Sequence, residues 1–150
     1  TKHLDLYESG DERLDLFYSD ESTGETRVGK WTYLYGNVKV IRLAEMYLTR
    51  SECNFRLGTA IGDTPLNDIN FVRDRVGLTD LGSVNLSEIL LERRLELAHE
   101  GHRLHDIKRL QESVTEGVII FDYDDDKLVF PIPQRERNVN ANLEQNPSYN

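Results

Sequence analysis

The feature that most constrains this chain is residues 90–110, LLERRLELAHEGHRLHDIKRL, where two runs of helical spacing meet at a single glycine. In the first run Leu91, Leu95 and Ala98 predict one apolar stripe, while Glu92, Glu96 and Glu100 recur every fourth residue on a neighbouring face. Arg93 and Arg94 sit among those carboxylates. Gly101 falls where a helix favours a left-handed residue just past its end, a conformation glycine adopts without a Cβ penalty. The second run places Leu104, Ile107 and Leu110 on one side, with Arg103, Asp106, Lys108 and Arg109 around it. Two short helices, each with an apolar stripe beside dense charge, are a packing unit of a mainly helical protein.

The segment before this unit has the same period. Over residues 38–57, Leu43, Tyr47, Ser51 and Phe55 form a row at four-residue spacing with Val40, Ala44 and Leu48 beside it. Arg42, Glu45, Thr49, Glu52 and Arg56 take the opposite side, so an amphipathic helix is predicted, ended by Gly58. Residues 64–76 predict a second helix with Pro65 in its first turn, a stripe of Leu66, Ile69 and Val72 or Val76, and Gly77 as its close. Asn85 with Glu88 three residues on predicts a capping box that starts a third helix running to Gly101, and a fourth covers 102–112. Residues 38–112 thus predict two antiparallel helical hairpins in tandem, tetratricopeptide-like in architecture more than in letters.

The flanks are less regular. Residues 14–18 and 31–35 each suggest a short aromatic-rich strand, with a polar loop at 20–29 between them. Residues 118–121 and 128–130 suggest a small hairpin around an acidic turn, and the proline- and asparagine-rich tail is expected to be irregular. With 150 residues the expectation is a single domain, 1–150, made of an extended segment (1–37), the helical hairpins (38–112), and a hairpin with tail (113–150).

Composition narrows the function classes. A net charge of −9 argues against nucleic acid, whose phosphates are bound mainly by lysine and arginine. No apolar run approaches a membrane span, and the first residues carry neither the charged nor the apolar region of a signal peptide. The lone Cys53 excludes an internal disulfide and is expected as a buried thiol.

The chemistry-bearing clusters have plain alternatives. His99, His102 and His105 lack metal-ligand spacing and Gly101 interrupts their helix, so packing and hydrogen bonding are the expected roles and no metal is called for. Asp122, Asp124 and Asp126 begin like a calcium loop, but Lys127 and Pro133 stand where such a loop needs glycine and a bidentate glutamate. Glu92, Glu96 and Glu100 are candidate carboxylates for glycoside hydrolysis, yet the interleaved arginines point to ion pairs. Glu92, Arg93, Glu96, Glu100, Arg103 and Asp106 are expected to brace the helices, with Arg73 and Arg75 of the preceding hairpin as partners. The aromatics outside the stripes, Trp31, Tyr33, Tyr35 and Tyr123, are the candidate ligand contacts; strand alternation would put the first three on one face.

The run Glu92-Arg93-Arg94-x-Glu96-Leu97-Ala98-x-Glu100-Gly101-His102-Arg103-x-x-Asp106-x-Lys108-Arg109 resembles the C-terminal signature of the SusD/RagB family, glycan-binding lipoproteins of the Bacteroidetes outer membrane. Gly10-Asp11-x-Arg13, Arg42-Leu43-Ala44-Glu45, Asn70-x-x-Arg73-x-Arg75, Pro131-Ile132-Pro133-Gln134-x-Glu136 and Asn142-Leu143-x-Gln145-Asn146-Pro147-x-Tyr149 extend the likeness from Gly10 to Tyr149. His99, Leu104 and His105 stand where the family usually has aromatics, and Ser148 where it has glycine.

The resemblance implies a SusD-like helical superhelix and the C-terminal part of a larger surface protein. Such a protein captures an oligosaccharide or other nutrient and passes it to a TonB-dependent, SusC-like transporter, with no catalytic residues and no cofactor. It also implies a lipid anchor elsewhere in the full-length protein, since Cys53 lies in mid-helix. Two rival readings remain at this level: a helical-repeat scaffold that binds protein, and a carboxylate-dependent glycoside hydrolase.

Overall fold

The computed structural model describes residues 3–33 and 35–149. They form a mainly helical structure with two small antiparallel strand pairs. The chain divides into two compact units, one up to Glu100 and one from Gly101 onward.

The first unit opens with two 3-10 turns, Leu4–Leu6 and Glu12–Leu16, the second capped by the Asp11 side chain, which accepts from the Arg13 backbone N–H. Strand β1 (Phe17–Ser19) pairs with β2 (Thr26–Val28), Phe17 opposite Val28 and Ser19 opposite Thr26. Between them the Asp20 carboxylate accepts from the backbone of Ser22 and Thr23, and Gly24 takes a positive φ. The strand expected at 14–18 therefore begins only at Phe17, and its partner is 26–28, not 31–35. Trp31 instead closes a 3-10 turn, Gly29–Trp31, while Thr32 and Tyr33 have no regular structure and Leu34 lies outside the described residues.

Helix α1 (Leu43–Leu57) starts five residues later than its periodicity suggests, and Gly58 ends it at φ 64, where any other residue would be strained. Helix α2 (Pro65–Asp74) has Thr64 as N-cap and proline in its first turn, as the sequence predicts. Helix α3 (Leu86–Glu96) begins with the capping box of Asn85 and Glu88, both hydrogen bonds present. It packs, with α2, against α1. Leu48 of α1, Ile69 and Val72 of α2 and Ile89 of α3 are wholly buried, with Ala44, Tyr47, Leu81 and Val84 packed around them.

This core corrects the stripe expected on α1. Leu48 and Ser51 of that stripe are buried, but its ends Leu43 and Phe55 are exposed, and Glu52 and Asn54, outside it, are buried. The rotation follows from how α1 meets α2. Ser51 Oγ donates to Pro65 O at 2.9 Å, and the Asn54 amide donates to the Ile61 and Asp63 carbonyls at 3.1 and 3.0 Å. Small polar side chains let the two helices and their connecting loop approach closely, which a Leu43–Phe55 seam would prevent. Cys53 falls on the outer side of the same helix, so the thiol is exposed rather than buried.

The second unit holds α4 (His102–Leu110), which stops at a left-handed Gln111, φ 55. Strand β3 (Val114–Glu116) then turns through Gly117 and pairs with β4 (Ile119–Phe121). The expected partner of 118–121 was 128–130, but the chain turns back sooner, and the segment Asp126–Leu128 is a 3-10 turn capped by Asp125. The tail contains a short helix, α5 (Gln134–Val139), where only irregular chain was expected. Beyond it, Gln145 holds the backbone of Ile132 from both sides at 2.7 and 3.0 Å, and the Asn146 amide donates to Phe130 O at 2.7 Å. Ser148 takes φ 66 in the glycine-like slot, and Tyr149 OH donates to Lys127 O at 3.0 Å.

Candidate functional site

In the first unit the C-terminal half of α3 buries two carboxylates beside the apolar Leu95. Glu92 and Glu96 are 4% and 2% exposed. A buried carboxylate needs a cation at hydrogen-bonding distance, and each has more than one. Arg13 Nη1 donates to Glu92 Oε1 at 2.5 Å, and Arg73 Nη1 stands 3.6 Å from Glu92 Oε2. Arg42 Nη1 and Arg75 Nη2 donate to the two oxygens of Glu96 at 2.7 and 2.6 Å, and Arg13 lies 3.5 Å from it.

One turn on, Glu100 accepts from Lys30 Nζ at 2.6 Å and from Arg42 Nη2 and Nε at 2.7 and 2.8 Å. Asp11 grips Arg13 by two of its nitrogens at 2.7–3.1 Å, and Glu8 pairs with Arg73 at 2.6 Å. Charges of both signs alternate through this ring, so each is compensated within van der Waals reach.

The ring changes the titration of its members. Burial pushes the Glu92 carboxyl above its ordinary value despite Arg13 and Arg73. Burial also acts on Glu100, but hydrogen bonds from Arg42 and Lys30 outweigh it and hold that carboxyl below the usual range. Burial lowers the Lys30 ammonium, with Glu100 opposing. Tyr7, whose OH donates to Leu95 O at 3.1 Å, is pushed up to about 12, chiefly by burial.

The same cations explain why α3 ends at Glu96 and not at Gly101. A helix leaves its last carbonyls without internal partners and favours positive charge there. Lys30 Nζ donates to Glu96 O and Ala98 O at 2.8 and 2.9 Å, Arg42 Nη2 to Glu96 O at 3.0 Å, and Trp31 Nε1 to His99 O at 2.8 Å. His99 adopts φ 63 in this turn, and its ring stacks edge to face on Phe17 and His3, centroids 5.7 and 6.1 Å away. The imidazole thus serves as the aromatic its position calls for.

Above this floor lies an open pocket of about 390 Å³ whose walls include Trp31, Tyr33, Asn37 and Lys39, with Lys30, Arg42 and Glu100 at its base. Trp31 is 48% exposed and Tyr33 85%. The indole is anchored by its N–H, so one ring face is held in place while another part stays open to solvent. Fixed aromatic faces beside amide and ionic groups suit a ligand that is apolar on one side and hydroxylated on the other.

The candidate residues distribute unevenly. Trp31 and Tyr33 share this pocket; Tyr35 is fully exposed and outside its lining; Tyr123 is half-buried in the second unit. Among the bracing residues, Glu92, Glu96, Glu100, Arg73 and Arg75 meet in the ring. Arg93 turns to α1, with Thr49 Oγ1 at 3.3 Å and Glu45 at 3.9 Å. Arg103 pairs with Glu112 at 2.9 Å and Asp106 with Arg109 at 2.7 Å, both inside the second unit.

Arg13, Arg42 and Lys30 were not anticipated as partners. Arg13 and Arg42 sit in stretches that carry the family resemblance, which is the only signal that could have found them; Lys30 had none. No group of three His, Cys, Asp or Glu among the described residues is arranged to hold a metal, and no described helix is long and apolar enough to cross a membrane.

Comparison with known proteins agrees with this architecture. The SusD family profile matches residues 18–123. The chain belongs to the SusD family. It is 33% identical over 131 residues to the starch-binding protein SusD of Bacteroides thetaiotaomicron, a match covering 79% of this chain and 22% of that protein. Among solved structures, a Bacteroides vulgatus protein aligns with a TM-score of 0.75 at 25% identity, covering 98% of this chain and 38% of that one. The surface glycan-binding protein A of Bacteroides uniformis shares the fold, with a TM-score of 0.70 at 24% identity over 97% of this chain and 39% of that one. The chain therefore spans less than half the length of each of these proteins.

Proposed function

We propose that this chain is the C-terminal part of a surface carbohydrate-binding protein that presents oligosaccharide to a TonB-dependent, SusC-like transporter at the outer membrane. In this reading a lipid anchor lies outside residues 1–150, and the protein makes and breaks no bond. The observation that carries the reading is the pocket over the ionic ring. An indole fixed through its N–H and an exposed phenol offer flat faces to sugar C–H groups, and the amide and ionic groups around them suit hydroxyls. Membership of the SusD family, with a starch-binding relative, supports the same assignment.

The hydrolase alternative is weakened by the state of the carboxylates. Glu92 and Glu96 are spent on guanidinium groups and buried, and Glu100 carries three charged hydrogen bonds. A general acid and its partner carboxylate need access to a glycosidic oxygen, which Glu92 and Glu96 lack.

Affinity electrophoresis of the full-length protein through gels cast with a panel of polysaccharides tests the proposal. Retardation in at least one gel, relieved in a Trp31→Ala variant that still folds, is the expected result. Unretarded migration in every gel, or retardation indifferent to Trp31 and Tyr33, would contradict it.

A further inference from the structure

The pocket over the ionic ring has a sign that the chain as a whole does not. The ionic side chains in its wall are Lys30, Lys39, Arg42 and Glu100, three cations against one carboxylate, in a chain of net charge −9. The remaining counter-charge is placed behind the wall. The Glu96 side chain is only 3% exposed, against 21% for its partner Arg42. The Glu96 carboxylate thus compensates Arg42 from behind the wall, and Lys39 is the exposed cation of the pocket.

The donors at the base are also largely committed. Lys30 Nζ has three acceptors, Glu96 O, Ala98 O and Glu100 Oε1, which use all its protons. Arg42 makes four hydrogen bonds to Glu96 and Glu100. These two groups set the local potential without being free to wrap a ligand. Lys39 differs: it is exposed and, among the described residues, has no hydrogen-bond or ion-pair partner. Its ammonium can follow a ligand group, and its position beside Trp31 and Tyr33 puts it within the same pocket.

Resting on the glycan-binding reading above, we infer that this pocket selects an anionic sugar unit, one bearing a carboxylate or a sulfate, which stacks on Trp31 and Tyr33 and pairs with Lys39. A neutral sugar would gain the aromatic contact alone. An anion gains a charge-assisted hydrogen bond in addition, inside a cleft whose walls reduce solvent screening.

The test is isothermal titration of the full-length protein with three probes: an oligogalacturonate, the same oligosaccharide after carboxyl reduction, and a sulfated galactan oligosaccharide. The inference predicts that at least one charged probe binds about tenfold or more tighter than the reduced neutral one. That preference should fall with added salt and collapse in Lys39→Gln. Preference for the carboxylate over the sulfate, or the reverse, assigns which anion the site takes. Equal or tighter binding of the neutral probe, abolished by Tyr33→Ala, overturns the inference and leaves the glycan reading standing. Charged-probe binding that ignores Tyr33→Ala and Lys39→Gln overturns the inference too, because it places the anion elsewhere. Failure of every probe, neutral and charged, counts against the glycan reading itself and takes this inference with it.

Discussion

The two ends of α3 are held by different means, although Leu95 adds apolar burial beside the carboxylates of the second. Near its start Ile89 is wholly buried among Leu48, Ile69 and Val72. Near its end Glu92 and Glu96 are as deeply buried among arginines. The first half is held by apolar area and tolerates small adjustments of packing. The second must meet fixed donor geometry, because an ion moved from its partner in a low-dielectric interior loses far more than a methyl group moved from a neighbour. The ionic half therefore adds little net stability for its size but fixes where residues 30–42 lie. The lesson is a division of labour: area makes the helix stack stable, and charge sets the position of the loop that carries Trp31 and Tyr33.

The largest effect should come from breaking the ionic end. Arg13→Ala leaves Asp11 and Glu92 buried without their shared guanidinium, and a loss of about 3–5 kcal/mol is expected from urea unfolding of the full-length protein. A loss below about 1 kcal/mol would mean that the ring is slack and the contrast between the two halves false. At the apolar end, Ile69→Ala should cost about 2–5 kcal/mol, through lost transfer energy and the cavity left among Leu48, Val72 and Ile89. Asn85→Ala, which removes only the cap at the start of α3, should cost about 1 kcal/mol.

The smallest effect separates the ring's two titrating ends by pH. Glu100 titrates below its ordinary 4.5 in the folded protein, so its contribution is present above the unfolded value and is lost as pH falls through the lowered one. Glu92 titrates above 4.5, so its folded form binds the proton more tightly and its term declines as pH rises from 4.5 through the raised value. Melting temperature followed from about pH 3 to 7 should therefore show a shallower acid limb in Glu100→Gln. Glu92→Gln should instead remove a decline on the neutral side of 4.5. Identical profiles for both variants would show that the two carboxylates do not differ in environment.

The fold was legible where its causes are local. The capping box of Asn85 and Glu88, Pro65 at the start of α2 and Gly58 at the end of α1 each act within four residues, and each stands where the sequence puts it. The aromatic alternation of 31–35 misled because a strand and a side-chain cap place the same demand on composition. Only the contact of Trp31 Nε1 with His99, 68 residues on, distinguishes them. The ring was half legible for the same reason. Glu92, Glu96 and Glu100 announce themselves by spacing, but Arg13 is 79 residues from Glu92 and Arg42 is 54 from Glu96. Ion pairing over such separations has no period. On α1 the middle of the expected row, Tyr47, Leu48 and Ser51, does face the core, but its ends Leu43 and Phe55 do not, because Ser51 and Asn54 govern the approach of α2.

The central claim is that the buried charges brace the chain while the exposed aromatics meet the ligand, and it is tested most directly by paired measurements on two variants of the full-length protein. Melting temperature and oligosaccharide affinity are recorded for Glu92→Gln, which lies outside the pocket wall, and for Tyr33→Ala, which lies in it. The account predicts a lowered melting temperature with unchanged affinity of the folded molecule for the first, and unchanged melting temperature with lost affinity for the second. Glycan turnover abolished by Glu92→Gln at an unaltered melting temperature would contradict it.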